Sequence, residues 1–86
     1  MDSYSIIIKP HVTEKTMNLI DINNGITFVV NRKANKTQIK KAFEDLYDEK
    51  VAKVNTHITT QGVKVAYIKL VEEEMAEELA VRIGVF

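Results

Sequence analysis

The apolar residues of this 86-residue chain fall into distinct rhythms. Ile39, Ala42, Phe43, Leu46 and Tyr47 recur at i, i+3, i+4, i+7 and i+8, which places them on one face of a helix and predicts a helix from Lys36 to about Asp48. Asn35 stands where its N-cap belongs, and Gln38 follows at the spacing of a variant capping box. Between Val51 and Thr59 the period shortens to two. Val54, Thr56 and Ile58 share one side and Lys53, Asn55, His57 and Thr59 the other, the pattern of a half-solvated strand. After a tight turn at Thr60-Gln61-Gly62, the run Val63 to Val71 is apolar on both sides, with Val65 and Tyr67 opposite Ala66, Ile68 and Leu70. Such a strand belongs nearer the centre of a sheet.

The flanking segments complete the order. Ser5 to Lys9 is a short β-branched run ended by Pro10 and predicts a strand. Val12 to Ile20 predicts a short helix with Glu14 in its first turn and Val12, Leu19 and Ile20 available for burial. Asn23-Asn24-Gly25 is a turn before the strand Ile26 to Val30. A last helix, Glu73 to about Ile83, buries Met75, Leu79 and Ile83 and stops at Gly84. The predicted order is β-α-β-α-β-β-α, an α+β, ferredoxin-like sandwich with a four-stranded, mainly antiparallel sheet. Length allows one domain over residues 1–86.

Composition narrows the chemistry. Cysteine is absent, which removes disulfides, thiol catalysis and cysteine-based zinc sites and suits a reducing cytosol. No apolar run reaches membrane-spanning length and no basic region leads into one, so a soluble, unprocessed protein without membrane insertion is expected. Twelve basic and twelve acidic residues cancel, yet they are not mixed. Up to Val71 there are 11 basic and 7 acidic residues, and from Glu72 onward 1 basic and 5 acidic. Positive potential therefore gathers in the N-terminal part, above all between Lys9 and Lys41, where it can attract phosphate.

Two helices of one chain are charged in opposite senses. The last has Glu72, Glu73 and Glu74 at its N-terminal end and Arg82 near its C-terminal end, as the helix macrodipole favours. The helix after Asn35 is inverted. Lys36, Lys40 and Lys41 crowd its positive end, and Glu44, Asp45, Asp48 and Glu49 occupy the negative one. Each misplaced exposed charge costs roughly 0.3–1 kcal/mol. A polyanion would account for the inversion, because a helix N-terminus ringed by Arg32, Lys33, Lys36 and Lys40 forms a compact phosphate-binding corner. A solvated face of helix-compatible lysines accounts for the charge pattern equally well.

The other candidate residues speak more quietly. His11 and His57 are distant in sequence and lack acidic residues at ligand spacing, so no metal site is expected. Thr13-Glu14-Lys15 fits a helix cap better than acid-base chemistry, since no nucleophile with a neighbouring base accompanies it. The polar row Lys53, Asn55, His57 and Thr59 could meet RNA or simply face water. Tyr4, Tyr47 and Tyr67 make no stacking signature, and Tyr47 lies on the apolar stripe.

Several segments together resemble a known family. They are Pro10-His11-Val12-Thr13-Glu14-Lys15-Thr16, then Val30 to Thr37 with Ile39-Lys40, then Val51 with Val54-Asn55-Thr56, and Ala66-Tyr67-Ile68-Lys69-Leu70. In this order, over nearly the whole chain, they are similar to the universal large-subunit ribosomal protein twenty-three, in its short archaeal form. The resemblance implies a non-enzymatic, cofactor-free constituent of the large ribosomal subunit, cytoplasmic and on the ribosome. It also implies contact with large-subunit rRNA and neighbouring ribosomal proteins near the peptide tunnel exit. There, factors such as signal recognition particle dock, and Glu14 matches the glutamate that bacterial relatives use for chaperone docking. Together with the charge pattern it points to Lys9, His11, Lys15, Arg32, Lys33, Asn35, Lys36, Thr37, Lys40, Asn55 and Thr56 as rRNA-binding residues. The tight Thr60-Gln61-Gly62 turn leaves no long hairpin to line a tunnel. The acidic last helix is expected to face solvent or protein rather than phosphate. A free-standing ferredoxin-like interaction or ligand-sensing module is the competing expectation, and a small acyl-phosphate hydrolase a more distant one.

Overall fold

The computed structural model describes residues 2–86. In chain order its elements are α1 (Ser3–Ile6), β1 (Ile7–Pro10), α2 (Glu14–Asn23), β2 (Gly25–Val30), α3 (Lys36–Tyr47), β3 (Val51–Ile58), β4 (Lys64–Leu70) and α4 (Met75–Ile83). The strands form one sheet in the order β1-β2-β4-β3, each neighbouring pair antiparallel. This is the expected α+β order with a single helical turn added in front. As its two-sided apolar pattern requires, β4 sits inside the sheet, between β2 and β3.

Alternation divides the sheet into two faces. Ile26, Phe28 and Val30 of β2 lie beside Ala66, Ile68 and Leu70 of β4 and Val54 of β3, and all join one buried cluster. That cluster is closed by Ile39, Ala42 and Phe43 of α3 and by Met75, Ala76, Leu79 and Ala80 of α4. Phe28 meets Phe43 edge-on at 5.7 Å between ring centroids, and Tyr47 lies 4.9 Å from Phe43, so Tyr47 is core-bound as its place on the stripe predicts. The opposite face carries Thr27, Val29, Val65, Tyr67 and Lys69. Here α2 runs beside β2. Ile20 of α2 joins the core, whereas Thr16 and Leu19 flank Thr27 and Tyr67 on the other side.

Two bulges decide which residues reach that open face. In β1, Ile7 pairs with core-facing Val30, but Lys9 pairs with Val29, because Ile8 is inserted between them. In β3, Val51 pairs with Leu70 and Lys53 with Lys69, with Ala52 as the extra residue. A bulge shifts the side-chain alternation by one. Ile7 and Val51 are thereby buried, while Lys9 and Lys53 turn to the open side.

Some expected boundaries move. Ser5 and Ile6 belong to a helical turn rather than a strand, because the Asp2 carboxylate accepts the Ser5 N–H (2.8 Å) and closes α1. The second helix begins at Glu14 and reaches Asn23, leaving Val12 outside it and exposed. Asn24, in the left-handed region at φ 53°, ends that helix, so the expected turn is compressed into a cap. The last helix starts at Met75, not Glu73. Glu72 to Glu74 precede it, and the dipole-matching acids of its first turn are Glu77 and Glu78, with Arg82 in the last turn. Glu74, at φ 63°, makes no side-chain cap. Gly84 at φ 86° ends the helix as expected.

Candidate nucleic-acid interface

The open face crosses four strands and mixes polar side chains with Val29 and the buried Val65. Register places Lys9, Val29, Val65 and His57 in one row across the sheet, Thr27, Tyr67 and Asn55 in the next, and Lys69 with Lys53 beyond them. His11 continues the middle row by donating its backbone N–H to the Thr27 carbonyl (2.9 Å). His11 and His57, distant in sequence, thus line one cleft with Thr27, Tyr67 and Lys15. The cleft has a volume of about 220 Å³. Tyr67 lines it, and its ring lies so close over Gly25 that a Cβ there would collide with the ring. Burial pushes the Tyr67 phenol above its ordinary value, and its hydroxyl donates to the Asn23 carbonyl at 3.4 Å.

Its rim is fixed by a local hydrogen-bond knot. The Thr16 N–H donates to the Thr13 hydroxyl (3.1 Å), the Thr13 N–H donates to the Thr16 hydroxyl (2.8 Å), and that hydroxyl donates to the His11 carbonyl (2.8 Å). The threonines therefore act as the cap expected of this motif. Glu14 and Lys15, in the first turn of α2, are left exposed.

A second basic surface lies where β2 leaves the sheet and β4 enters it. Asn31 anchors the connecting loop: its N–H donates to the Ile6 carbonyl (2.9 Å), and its side-chain oxygen accepts the Lys33 N–H (2.9 Å). Ala34 is buried, and the Lys64 ammonium donates to its carbonyl. With the backbone held from both sides, Arg32 and Lys33 project outward, and Arg32 Nη1 reaches the Gly62 carbonyl at 3.4 Å. Asn35 and Gln38 form the expected reciprocal cap, at 2.8 and 3.0 Å. Lys36, Thr37 and Lys40 are exposed around this helix end. The inversion is real, since the first turn of α3 holds no acid and its last turn no base.

The misplaced acids of α3 have structural partners. Glu44 Oε2 accepts the Val51 N–H (3.0 Å), and Asp45 Oδ2 accepts the Ser3 hydroxyl (2.9 Å). Glu44 and Asp45 stand one helical turn, about 6 Å of rise, after Lys40 and Lys41, and their bonds to Val51 and Ser3 tie them into the fold.

The expected site residues thus divide into groups. Lys9, His11, Lys15 and Asn55 share the open face and its cleft; Arg32, Lys33, Asn35, Lys36, Thr37 and Lys40 form the corner. Thr56 belongs with neither group. It lies beside Ala66 on the helix-covered side, because successive strand residues alternate. The open face also recruits Lys53, His57, Tyr67 and Lys69. Period-two spacing puts Lys53 with His57, but only the pairing of β2, β3 and β4 brings Tyr67 and Lys69 beside them. Among the described residues, no group of three histidine, cysteine or acidic side chains is arranged to hold a metal ion. No helix of the described residues is long and apolar enough to cross a membrane.

Comparison with known proteins identifies the family. Residues 5–74 match the family model described as Ribosomal protein L23. Over all 86 residues of both chains, the protein is 83% identical to the large ribosomal subunit protein uL23 of Methanobrevibacter smithii. Over the same full lengths it is 64% identical to the uL23 of Methanosphaera stadtmanae and 57% identical to that of Methanothermobacter thermautotrophicus. These full-length similarities and the family match make the chain a member of the ribosomal protein L23 family, ribosomal proteins of the large subunit and not enzymes.

Proposed function

We propose that this protein is a structural constituent of the large ribosomal subunit that binds large-subunit rRNA through its open sheet face and the Arg32 to Lys40 corner. The observation that carries the proposal is the convergence of cations from separate segments. Lys9, Lys15, Lys53 and Lys69 meet on or beside one sheet face, and Arg32, Lys33, Lys36 and Lys40 cluster at its end. Two bulges are required to turn Lys9 and Lys53 that way, and neither lysine gains burial from it. Phosphate contact at such points positions RNA without reading its sequence, which suits recognition of a folded RNA by shape. The acid-rich α4 remains free for solvent or protein neighbours.

The same proposal assigns Glu14 to factor docking. Exposed in the first turn of α2, it adjoins the RNA-facing cleft without forming its floor, so a protein at the tunnel exit could reach it while Lys15 stays with RNA. Signal recognition particle is the factor class expected from the family resemblance. Cosedimentation tests the central statement: the purified chain should bind large-subunit rRNA and travel with large subunits. Failure to do either would leave a free-standing interaction module as the better account.

A further inference from the structure

We infer that the cleft between the start of α2 and the open sheet face receives a single unstacked nucleobase of the bound RNA, so that contact here is more than phosphate neutralisation. The inference rests on the proposal that this face meets RNA. Three observations carry it.

The cleft has ring-bearing walls from three different elements: His11 before α2, His57 on β3 and Tyr67 on β4. Flat π-faces of this kind stack on any base. Its lining also carries a nearly buried hydroxyl: Thr27 is only 5% exposed and lines the cleft. A hydroxyl in such a place can donate to or accept from the edge of an inserted ring. Finally, the scale suits one ring system. About 220 Å³ accommodates a single base but no helical segment, and Lys15 lines the same cleft as a cation for the adjoining phosphate.

The geometry also separates base contact from charge contact. His57 lies on the edge strand β3 and is exposed, so removing it disturbs no core packing. Thr27→Val replaces the hydroxyl with a methyl group and keeps the branched shape. Stacking and hydrogen bonding to a base involve no counterion release, whereas each lost phosphate contact lowers the salt slope.

The test measures binding of the full chain to large-subunit rRNA over a range of salt, together with base-specific chemical probing of the complex. His57→Ala should weaken binding by roughly fivefold to a hundredfold, the range associated with one lost base-stacking contact, at an unchanged salt slope. One nucleotide protected by the wild-type protein should become reactive in the His57→Ala and Thr27→Val complexes. If wild-type protein binds this RNA but no protected base responds to either substitution, the cleft takes no base and the inference is overturned while the rRNA proposal stands. A weaker affinity accompanied by a lower salt slope would also overturn it, since that marks loss of a phosphate contact. If the wild-type chain fails to bind the RNA at all, the proposal beneath it fails first.

Discussion

The side chain of Asn24 caps a helix that begins 51 residues after it: Asn24 Oδ1 accepts the Ala76 N–H at 2.9 Å. The amide of the same side chain donates to the carbonyls of Glu72 (2.7 Å) and Leu70 (3.2 Å), and the Asn24 carbonyl accepts the Leu70 N–H. One left-handed residue therefore ends α2, opens β2 and supplies the cap that Glu74 does not. Asn24→Gly keeps the backbone conformation and loses the cap, at about 1–2 kcal/mol. Asn24→Ala also loses the asparagine side chain's tolerance of the left-handed conformation and should cost about 2–3 kcal/mol. Urea denaturation should rank wild type above glycine above alanine. Equal stabilities for the two variants would show that the backbone conformation contributes nothing.

The cationic corner separates binding from folding. Replacing Arg32, Lys33, Lys36 and Lys40 together with alanine should weaken rRNA binding and reduce its dependence on salt. Stability should stay level or rise slightly, because like-signed charge leaves the positive end of α3. Lys36→Glu is the sharper form, with an expected gain of roughly 0.3–1 kcal/mol in thermal stability and a loss of RNA affinity. A fall in stability with undiminished RNA binding would make the corner structural instead.

Gly25 and Tyr67 form a matched pair. A methyl group at Gly25 would collide with the Tyr67 ring, so Gly25→Ala should destabilise by about 1–3 kcal/mol as the ring is displaced. Tyr67→Ser in the same background should recover part of that loss, and a double-mutant cycle by chemical denaturation measures the coupling. Additive effects would mean that the ring moves aside freely.

Alkali should test the half-buried phenols. Burial raises the pKa of Tyr47 and Tyr67 above the ordinary 10.0, with Tyr4 adding to the effect at Tyr47. A folded-state pKa above the unfolded one means that the stability contribution is complete below about pH 10 and is lost as the pH climbs through the folded values. Stability followed by circular dichroism should therefore be level on the neutral side and decline above about pH 10. Phenolate absorbance should lag behind that of free tyrosine, and Tyr47→Phe should soften the alkaline decline.

Much of this protein was legible along the chain because its decisive patterns are local. The i, i+3, i+4 stripe from Ile39 to Tyr47, the Asn35 and Gln38 cap, the Gly84 stop and the two-sided apolar run of β4 each involve residues within a few turns or pleats of one another. The inverted charge of α3 is likewise a matter of order, and it is present as predicted. Tertiary structure decided what depends on register and distance. A bulge is invisible to a period-two count, yet Ile8 and Ala52 choose the face on which Lys9 and Lys53 emerge. Asn24 reads as an ordinary turn residue until Ala76 is folded onto it, and Glu72 to Glu74 read as a helix start until that cap sets the boundary at Met75. His11, His57, Thr27 and Tyr67 have no common spacing, because four strands, paired in an order that differs from chain order, bring them to one cleft. Propensity and periodicity act within a segment, whereas strand pairing and long-range capping are settled only when separate segments compete for the same buried space and the same unpaired backbone groups.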